Sequence, residues 1–98
     1  MQARVCVQTY DNGDVQGFLY LDDDTGETLV TTSPRYAAGS AEAREFTING
    51  TKGSISATAR VNVTSQIASF DVNFVQSGVQ TTSQFSRSLE VSSAPCIS

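Results

Sequence analysis

Residues 54–64 read Ser-Ile-Ser-Ala-Thr-Ala-Arg-Val-Asn-Val-Thr, with an apolar side chain at every second position. Successive side chains of an extended strand point to opposite faces, so the alternation separates an apolar face from a polar one. The stretch therefore predicts a half-buried β-strand. Its inner face is expected to consist of Ile55, Ala57, Ala59 and Val61, and the small alanines let an opposing sheet approach closely.

The same alternation continues downstream and recurs upstream. Phe70, Val72 and Phe74 are expected to face inward and to fill the space that the alanines leave. An Asn12-Gly13 pair between two apolar runs predicts a tight hairpin, because both residues tolerate positive φ. Residues 49–53 are expected to turn the chain back. The remaining strands are predicted at 3–10, 15–21, 28–32, 44–48 and 79–91, and no stretch shows helical spacing.

Seven strands joined by glycine-bearing turns predict an all-β fold. The expected architecture is a small antiparallel β-sandwich, immunoglobulin-like, and a barrel is the alternative. The chain has 98 residues, which fits one domain spanning 1–98. The antibody-type core of two mid-chain cysteines around a tryptophan is missing from the sequence, so the architecture alone is predicted.

Cys6 and Cys96 lie near opposite ends of the chain, a spacing unlike a CxxC redox motif or a metal knuckle. We expect a disulfide that ties the termini, the alternative being two unrelated thiols. Cys6 lies between Val5 and Val7 on the same predicted strand, so its side chain points to the opposite face from theirs. The bridge is therefore expected on the outer face or the rim. A disulfide and a single Lys predict an extracytoplasmic protein, periplasmic or secreted, with Met1 in place of a removed leader.

Composition excludes several functions. The chain contains no His, which removes Ser-His-Asp and Cys-His relays and the usual zinc sites. A glycosidase needs only two carboxylates, but the chain has no Trp to stack a sugar and is short for an enclosed cleft. The net charge of -4 has the wrong sign for nucleic acid or an anionic membrane surface. We expect no enzyme, no cofactor and no membrane insertion.

Acidic residues cluster early in the chain and form a possible partner-binding rim. The cluster resembles a calcium loop in composition, but its glycine comes one place early for an EF-hand, and ordinary solvated turns explain all of its residues. No metal is predicted, although calcium at these turns stays open. The rim residues are Asp11, Asp14, Asp22, Asp23, Asp24 and Glu27. Asn49 and Asn62 each begin an N-glycosylation triplet, and whether either is used also stays open.

The most suggestive surface is the last predicted strand. Residues 79–86 have high β propensity and no charge, so an exposed edge here would be a template for another strand. The alternative is an ordinary interior strand, with Arg87 and Glu90 as charged residues that oppose aggregation. The possible strand-addition edge consists of Gln80, Thr81, Thr82, Ser83 and Gln84.

Residues 70–85, a strand followed by Gln-Ser-Gly and a Gln/Thr/Ser-rich strand, resemble the small periplasmic sandwich chaperones that restrain curli amyloid subunits. The resemblance is compositional and contains no diagnostic motif, so it assigns no family. The leading hypothesis is a non-enzymatic protein-binding module. The second is an assembly protein acting by strand addition: a chaperone or inhibitor of curli, amyloid or pilus subunits, or a filament subunit.

Overall fold

Strands account for most of the chain, as the period-two patterns predict. The computed structural model describes residues 2–22, 28–93 and 95–96. A single-turn helix, α1 (Ala41–Arg44), precedes the fourth strand. The strands are β1 (Gln2–Thr9), β2 (Val15–Asp22), β3 (Thr28–Thr32), β4 (Glu45–Lys52), β5 (Ile55–Asn62), β6 (Ile67–Gln76), β7 (Val79–Ser88) and β8 (Glu90–Ser92).

The strands form two four-stranded sheets packed as a sandwich, which confirms the predicted fold class. The first sheet has the order β3-β2-β1-β8 and the second the order β4-β5-β6-β7. Neighbours that follow one another in the chain are antiparallel, whereas β8 runs parallel to β1. The second sheet thus consists of four consecutive strands, whereas the first joins β1, β2 and β3 to β8, which follows β7 in the chain.

The core lies between the two inner faces. Of the side chains predicted to face inward, Ala57, Ala59, Val61, Phe70 and Val72 are buried. Ile55 and Phe74 are half-buried, because they pair with each other at the end of the sheet, next to the turns. The first sheet contributes Ala3, Val5, Val7, Leu19 and Leu21 to the same cluster.

Two glycines allow the sheets to approach each other. A Cβ on Gly17 would overlap the Phe46 ring, and a Cβ on Gly50 would lie 3.2 Å from Leu19 Cδ2. The phenyl ring of Phe46 therefore occupies the space above the Gly17 backbone and packs at a tilt of 42° against Tyr36, with 5.1 Å between ring centroids. Such interlocking gives the interior its close packing.

Three local predictions are corrected. The strand predicted at 79–91 divides at Leu89 into β7 and β8, which belong to different sheets, so the described chain has eight strands rather than seven. The turn expected at 49–53 lies at Gly53 and Ser54. The sequence predicted no helix, because the four residues of α1 are too few to show a helical repeat of apolar side chains. Ser40 caps this helix by accepting a hydrogen bond from the Ala43 N–H at 3.1 Å.

A small second cluster covers the outer face of the first sheet. Cys6, Phe18 and Tyr20 are buried there, with Val30 and Cys96 packed against them. The predicted Cys6–Cys96 disulfide is present, with its Cα atoms 6.2 Å apart. This cover explains why β2 is apolar on both faces. No helix in the described ranges is long and apolar enough to cross a membrane.

Truncating Phe70 tests the assignment of the inner face. Phe70 is 1% exposed and stacks on Phe85 at 5.0 Å between centroids. We expect Phe70→Ala to lower the free energy of unfolding by about 3 to 5 kcal/mol, measured by urea denaturation. The control is Ile67→Ala, because Ile67 lies on the opposite face of β6 and is 46% exposed. A loss below about 1 kcal/mol at Phe70 would contradict the packing.

Removing the disulfide tests how strongly the termini hold the fold together. The bond closes a loop with a sequence separation of 90, and in the chain-entropy model such a loop contributes about 4 to 5 kcal/mol. We expect the Cys6→Ser, Cys96→Ser double variant to stay folded and to unfold at a much lower urea concentration. Reductant should shift the parent equally and leave the double variant unchanged. Equal midpoints for parent and variant would refute this role.

Candidate functional site

The strand β7 forms one edge of the second sheet. It pairs with β6 along its whole length, from Ile67 opposite Ser88 to Gln76 opposite Val79, and the sheet order ends there. In an antiparallel ladder, residues alternate between those that bond to the neighbour and those whose N–H and C=O point away from it. Half of the backbone groups of β7 are therefore directed out of the sheet, where no described strand meets them.

The opposing sheet leaves much of β7 uncovered. Val79 and Thr81 lie on the same face as the buried core of β6, yet Val79 is 64% exposed and Thr81 is also exposed. Further along, Ser83 and Phe85 are half-buried. The cause is the shortness of β8, whose three residues pair only with Cys6–Gln8 of β1. The first half of β7 thus presents an edge and an open face together.

Side chains on the outer face hold β7 against β6. Thr82 Oγ1 donates to Asn73 Oδ1 at 2.8 Å, and Gln84 Nε2 donates to Asp71 Oδ1 at 2.9 Å. The second carboxylate oxygen of Asp71 lies 2.6 Å from Arg60 Nη2. These cross-strand pairs, with the Phe70–Phe85 stack on the inner face, order the strand before any partner arrives.

A tight turn fixes the register of this hairpin. Ser77 and Gly78 have φ values of 54° and 77°, as a two-residue type I′ turn requires, and they join Gln76 to its partner Val79. The short loop prevents slippage of β7 along β6. Register is thereby set from both the turn and the side-chain pairs.

The four sheet edges differ in how open they are. Among the described strands, β3 has five residues and β8 three, whereas β7 has ten. β4 has eight residues, but it carries Glu45 and Lys52 at its ends and packs beneath β2 and β3 of the other sheet. Natural edges are blunted by shortness, charge, proline or a cover. Residues 79–86 of β7 form a long segment with no charge or proline, and no described strand covers their edge. Arg87 follows with its guanidinium 5.1 Å from the Phe85 ring centroid.

The described residues of the predicted acidic rim fall into two separate groups. Asp11 and Asp14 belong to the β1–β2 turn, whereas Asp22 ends β2 and accepts a hydrogen bond from Thr28 Oγ1 at 2.6 Å. The length of β2 separates the two groups by roughly 23 Å. Asp23, Asp24 and Glu27 lie outside the described residues. Within the described ranges, no three His, Cys, Asp or Glu residues lie close enough to hold a metal ion.

Asp14 makes hydrogen bonds within the fold that the sequence pattern did not reveal. Its Oδ2 accepts from Arg35 Nε at 3.0 Å, and its Oδ1 accepts from the Ala38 N–H at 3.2 Å. The Arg35 guanidinium also lies 3.6 Å from the Tyr10 ring centroid. The carboxylate therefore anchors the 33–40 segment to the hairpin turn.

The two glycosylation triplets lie on different kinds of structure. Asn49 is exposed on β4, where its Oδ1 accepts from Thr58 Oγ1 at 2.7 Å. Asn62 is half-buried, and its Oδ1 accepts from the Ser65 N–H at 3.0 Å. Both side chains already act within the fold, one across a strand pair and one inside a turn.

Comparison of the chain with protein-family models, curated proteins and solved structures found no match. The geometry of the chain itself must therefore carry the functional argument.

The pH dependence of stability tests the role of Asp14. Hydrogen bonding with the Asn12 side chain, the Ala38 N–H and Arg35 outweighs desolvation and lowers the pKa of Asp14 below its ordinary 3.8. Its contribution to stability is therefore present above that value and is lost as pH falls through the folded-state pKa. We expect Asp14→Asn to flatten the decline of the urea midpoint below about pH 4. Asp11→Asn, the control, should retain that part of the decline.

Proposed function

We propose that the chain is a non-enzymatic interaction module that binds an extended strand of another protein along the free edge of β7. The observation that carries this proposal is the length and neutrality of that edge. β7 runs for ten residues, pairs with only one of the described strands, and has no charged residue before Arg87.

Strand addition at this edge has a physical driving force. The outward N–H and C=O groups of β7 are hydrated in the free protein, and an added strand would exchange water for ladder hydrogen bonds along the whole edge. The added strand would also shield apolar surface, because Val79 is 64% exposed. Since β6 already holds β7 in place, the edge loses little conformational freedom on binding.

The two faces of β7 define the partner. Residues opposite one another on neighbouring strands share a face, so the partner's inner side chains lie beside Val79, Thr81 and Phe85, and apolar residues fit there. Its outer side chains lie beside Gln80 and Thr82, and neutral polar residues fit there. The preferred partner is a strand that alternates apolar and uncharged polar residues, the pattern of amyloid-prone segments.

The disulfide supports the proposed compartment. The Cys6–Cys96 bond is compatible with an oxidising location outside the cytoplasm. We place the protein in the periplasm or among secreted proteins. Partners of the proposed type, extended strands awaiting assembly, occur in these compartments.

A second candidate function is assembly, either as a filament subunit or as a chaperone that caps curli, amyloid or pilus strands. The second sheet favours it because that sheet ends in β4 on the other side, which gives the sheet two edges. A subunit using both edges should form open-ended polymers that sediment rapidly. A chaperone should instead delay fibre growth of its partner at substoichiometric ratio.

Peptide binding tests the proposed function. The probe is a fluorescein-labelled peptide of alternating valine and threonine, as long as β7, and the readout is fluorescence anisotropy. The control peptide carries proline at every second position and has too few free N–H groups for a ladder. We expect saturable binding of the first peptide and none of the second. Equal binding of both, or of neither, would refute the proposal.

Two neighbouring prolines locate the binding edge. Of Thr81 and Thr82, one directs its N–H toward β6 and the other out of the sheet. Proline is tolerated where an edge N–H faces solvent and disrupts a ladder where it does not. Urea denaturation identifies the more stable of Thr81→Pro and Thr82→Pro, which is the variant whose proline faces out of the sheet. We expect that variant to bind the peptide at least about tenfold more weakly, because it lacks an N–H that the added strand needs. Full affinity in that variant would place the binding site elsewhere.

A further inference from the structure

We infer that the strand best matched to the free edge of β7 is β7 of a second copy, so that the protein pairs with itself through an antiparallel edge-to-edge contact. This inference rests on the proposed strand addition at β7. It goes beyond it by naming the occupant and the register.

The first argument is that β7 has the pattern it would select. Its inner face carries Val79 and Phe85, and its outer face carries Gln80, Thr82 and Gln84. When two copies pair through β7 with their inner faces on the same side, apolar residues lie beside apolar residues and neutral polar residues lie beside neutral polar residues. The contact is then isologous, using the same surface on both copies.

The second argument is that exposed apolar surface selects one register. If the inner faces of both copies are to lie on the same side of the joined sheet, the two-fold axis must pass beside a residue that is paired with the same residue of the other copy. An axis at Thr82 places Val79 of each copy opposite Phe85 of the other, which covers a side chain that is 64% exposed. An axis at Ser83 instead places Val79 opposite Arg87, and the buried apolar pair is lost.

The remaining pairs in the register centred on Thr82 are all uncharged. Thr81 lies opposite Ser83, Gln80 opposite Gln84, and Thr82 opposite its counterpart. Hydroxyl and amide pairs of this kind form cross-strand hydrogen bonds.

The third argument concerns charge. Each copy has a net charge of -4, which opposes association in general. β7 itself contains no acidic residue, and the nearest carboxylate on β6, Asp71, is paired with Arg60. At physiological ionic strength, charges farther than about 8 Å away are largely screened. Repulsion is therefore weakest at the edge that the register uses.

The pairing has a definite end point. Joining two copies through β7 gives one continuous sheet of eight strands, with β4 of each copy at its two ends. Because the contact is isologous, it closes at two copies and does not propagate. The expected species is a dimer rather than a filament.

Charge substitutions at the symmetry axis test the contact. Thr82→Lys places two ammonium groups opposite each other, and we expect dimerisation, measured by sedimentation equilibrium of the intact oxidised chain, to weaken by roughly tenfold or more. Thr82→Glu should behave in the same way, and an equimolar mixture of the two variants should recover the dimer. The control is Thr47→Lys, on the exposed face of the other edge strand, which should dimerise like the parent.

Cysteine cross-linking tests the register. Thr82→Cys brings two thiols together at the axis and should give a covalent dimer under mild oxidation. Gln84→Cys lies on the same face of the same strand, but its two copies are roughly 13 Å apart in this register, and it should not cross-link. Preferential cross-linking of Gln84→Cys would overturn the register.

The outcomes separate this inference from the proposed function. A parent that stays monomeric up to millimolar concentration, yet binds the valine-threonine peptide, overturns self-pairing and retains the binding module. A dimer that is insensitive to both Thr82 substitutions overturns the inference by placing the contact elsewhere. A β7 dimer that does not bind the peptide supports self-pairing and refutes the role toward other proteins.

Discussion

Leu89 lies between two strands that belong to different sheets, and this crossing governs the rest of the structure. Its side chain is 9% exposed, and its N–H donates to the Gln66 carbonyl at 2.8 Å, which fixes the point of departure from the second sheet. After it, β8 runs beside β1 for three residues, and Cys96 is bonded to Cys6. The crossing closes the core at one end of the molecule and leaves most of β7 without a cover at the other.

The free edge persists because its cost in the isolated molecule is small. Outward N–H and C=O groups in water keep their hydrogen bonds to solvent, so an unpaired edge destabilises the fold little. What the edge changes is the free energy of association, since a second strand satisfies the same groups and removes apolar surface from water. Charged side chains along the edge would reduce this favourable free energy of association. Thus the lack of charge in residues 79–86 matters for binding more than for folding.

Much of the fold is predictable from the sequence because side-chain parity is a local property. Alternation assigned Ala57, Val61 and Phe70 to the inner face correctly. The parity of Cys6 against Val5 predicted a disulfide on the outer face or the rim, and Cys6 and Cys96 lie in the outer cluster. The Asn12-Gly13 pair predicted the first hairpin, in which Gly13 has a positive φ of 89° and Asn12 does not adopt one. In each case the information lies within a few residues of the feature.

The order of strands in a sheet is not a local property. The predicted strand at 79–91 shows continuous β propensity, and nothing in its parity reveals that Leu89 changes sheets. For the same reason, the sequence left open whether β7 is an edge or an interior strand. Closeness of acidic residues along the chain likewise does not show their closeness in space, since the eight-residue strand β2 separates Asp14 from Asp22. Asp14 instead bonds to Arg35, a contact between segments that no periodicity relates.

The two edges of the second sheet decide between a closed and an open assembly. Head-to-tail growth requires a β4 edge that accepts a β7 edge, and these strands differ in character. β4 bears Glu45 and Lys52 at its ends, so a foreign strand there must desolvate or neutralise charge at both limits of the ladder. β7 against its own copy meets no such cost before Arg87. Mixed pairing is therefore disfavoured relative to the proposed self-pairing of β7, and a two-fold contact of that kind would close at a dimer.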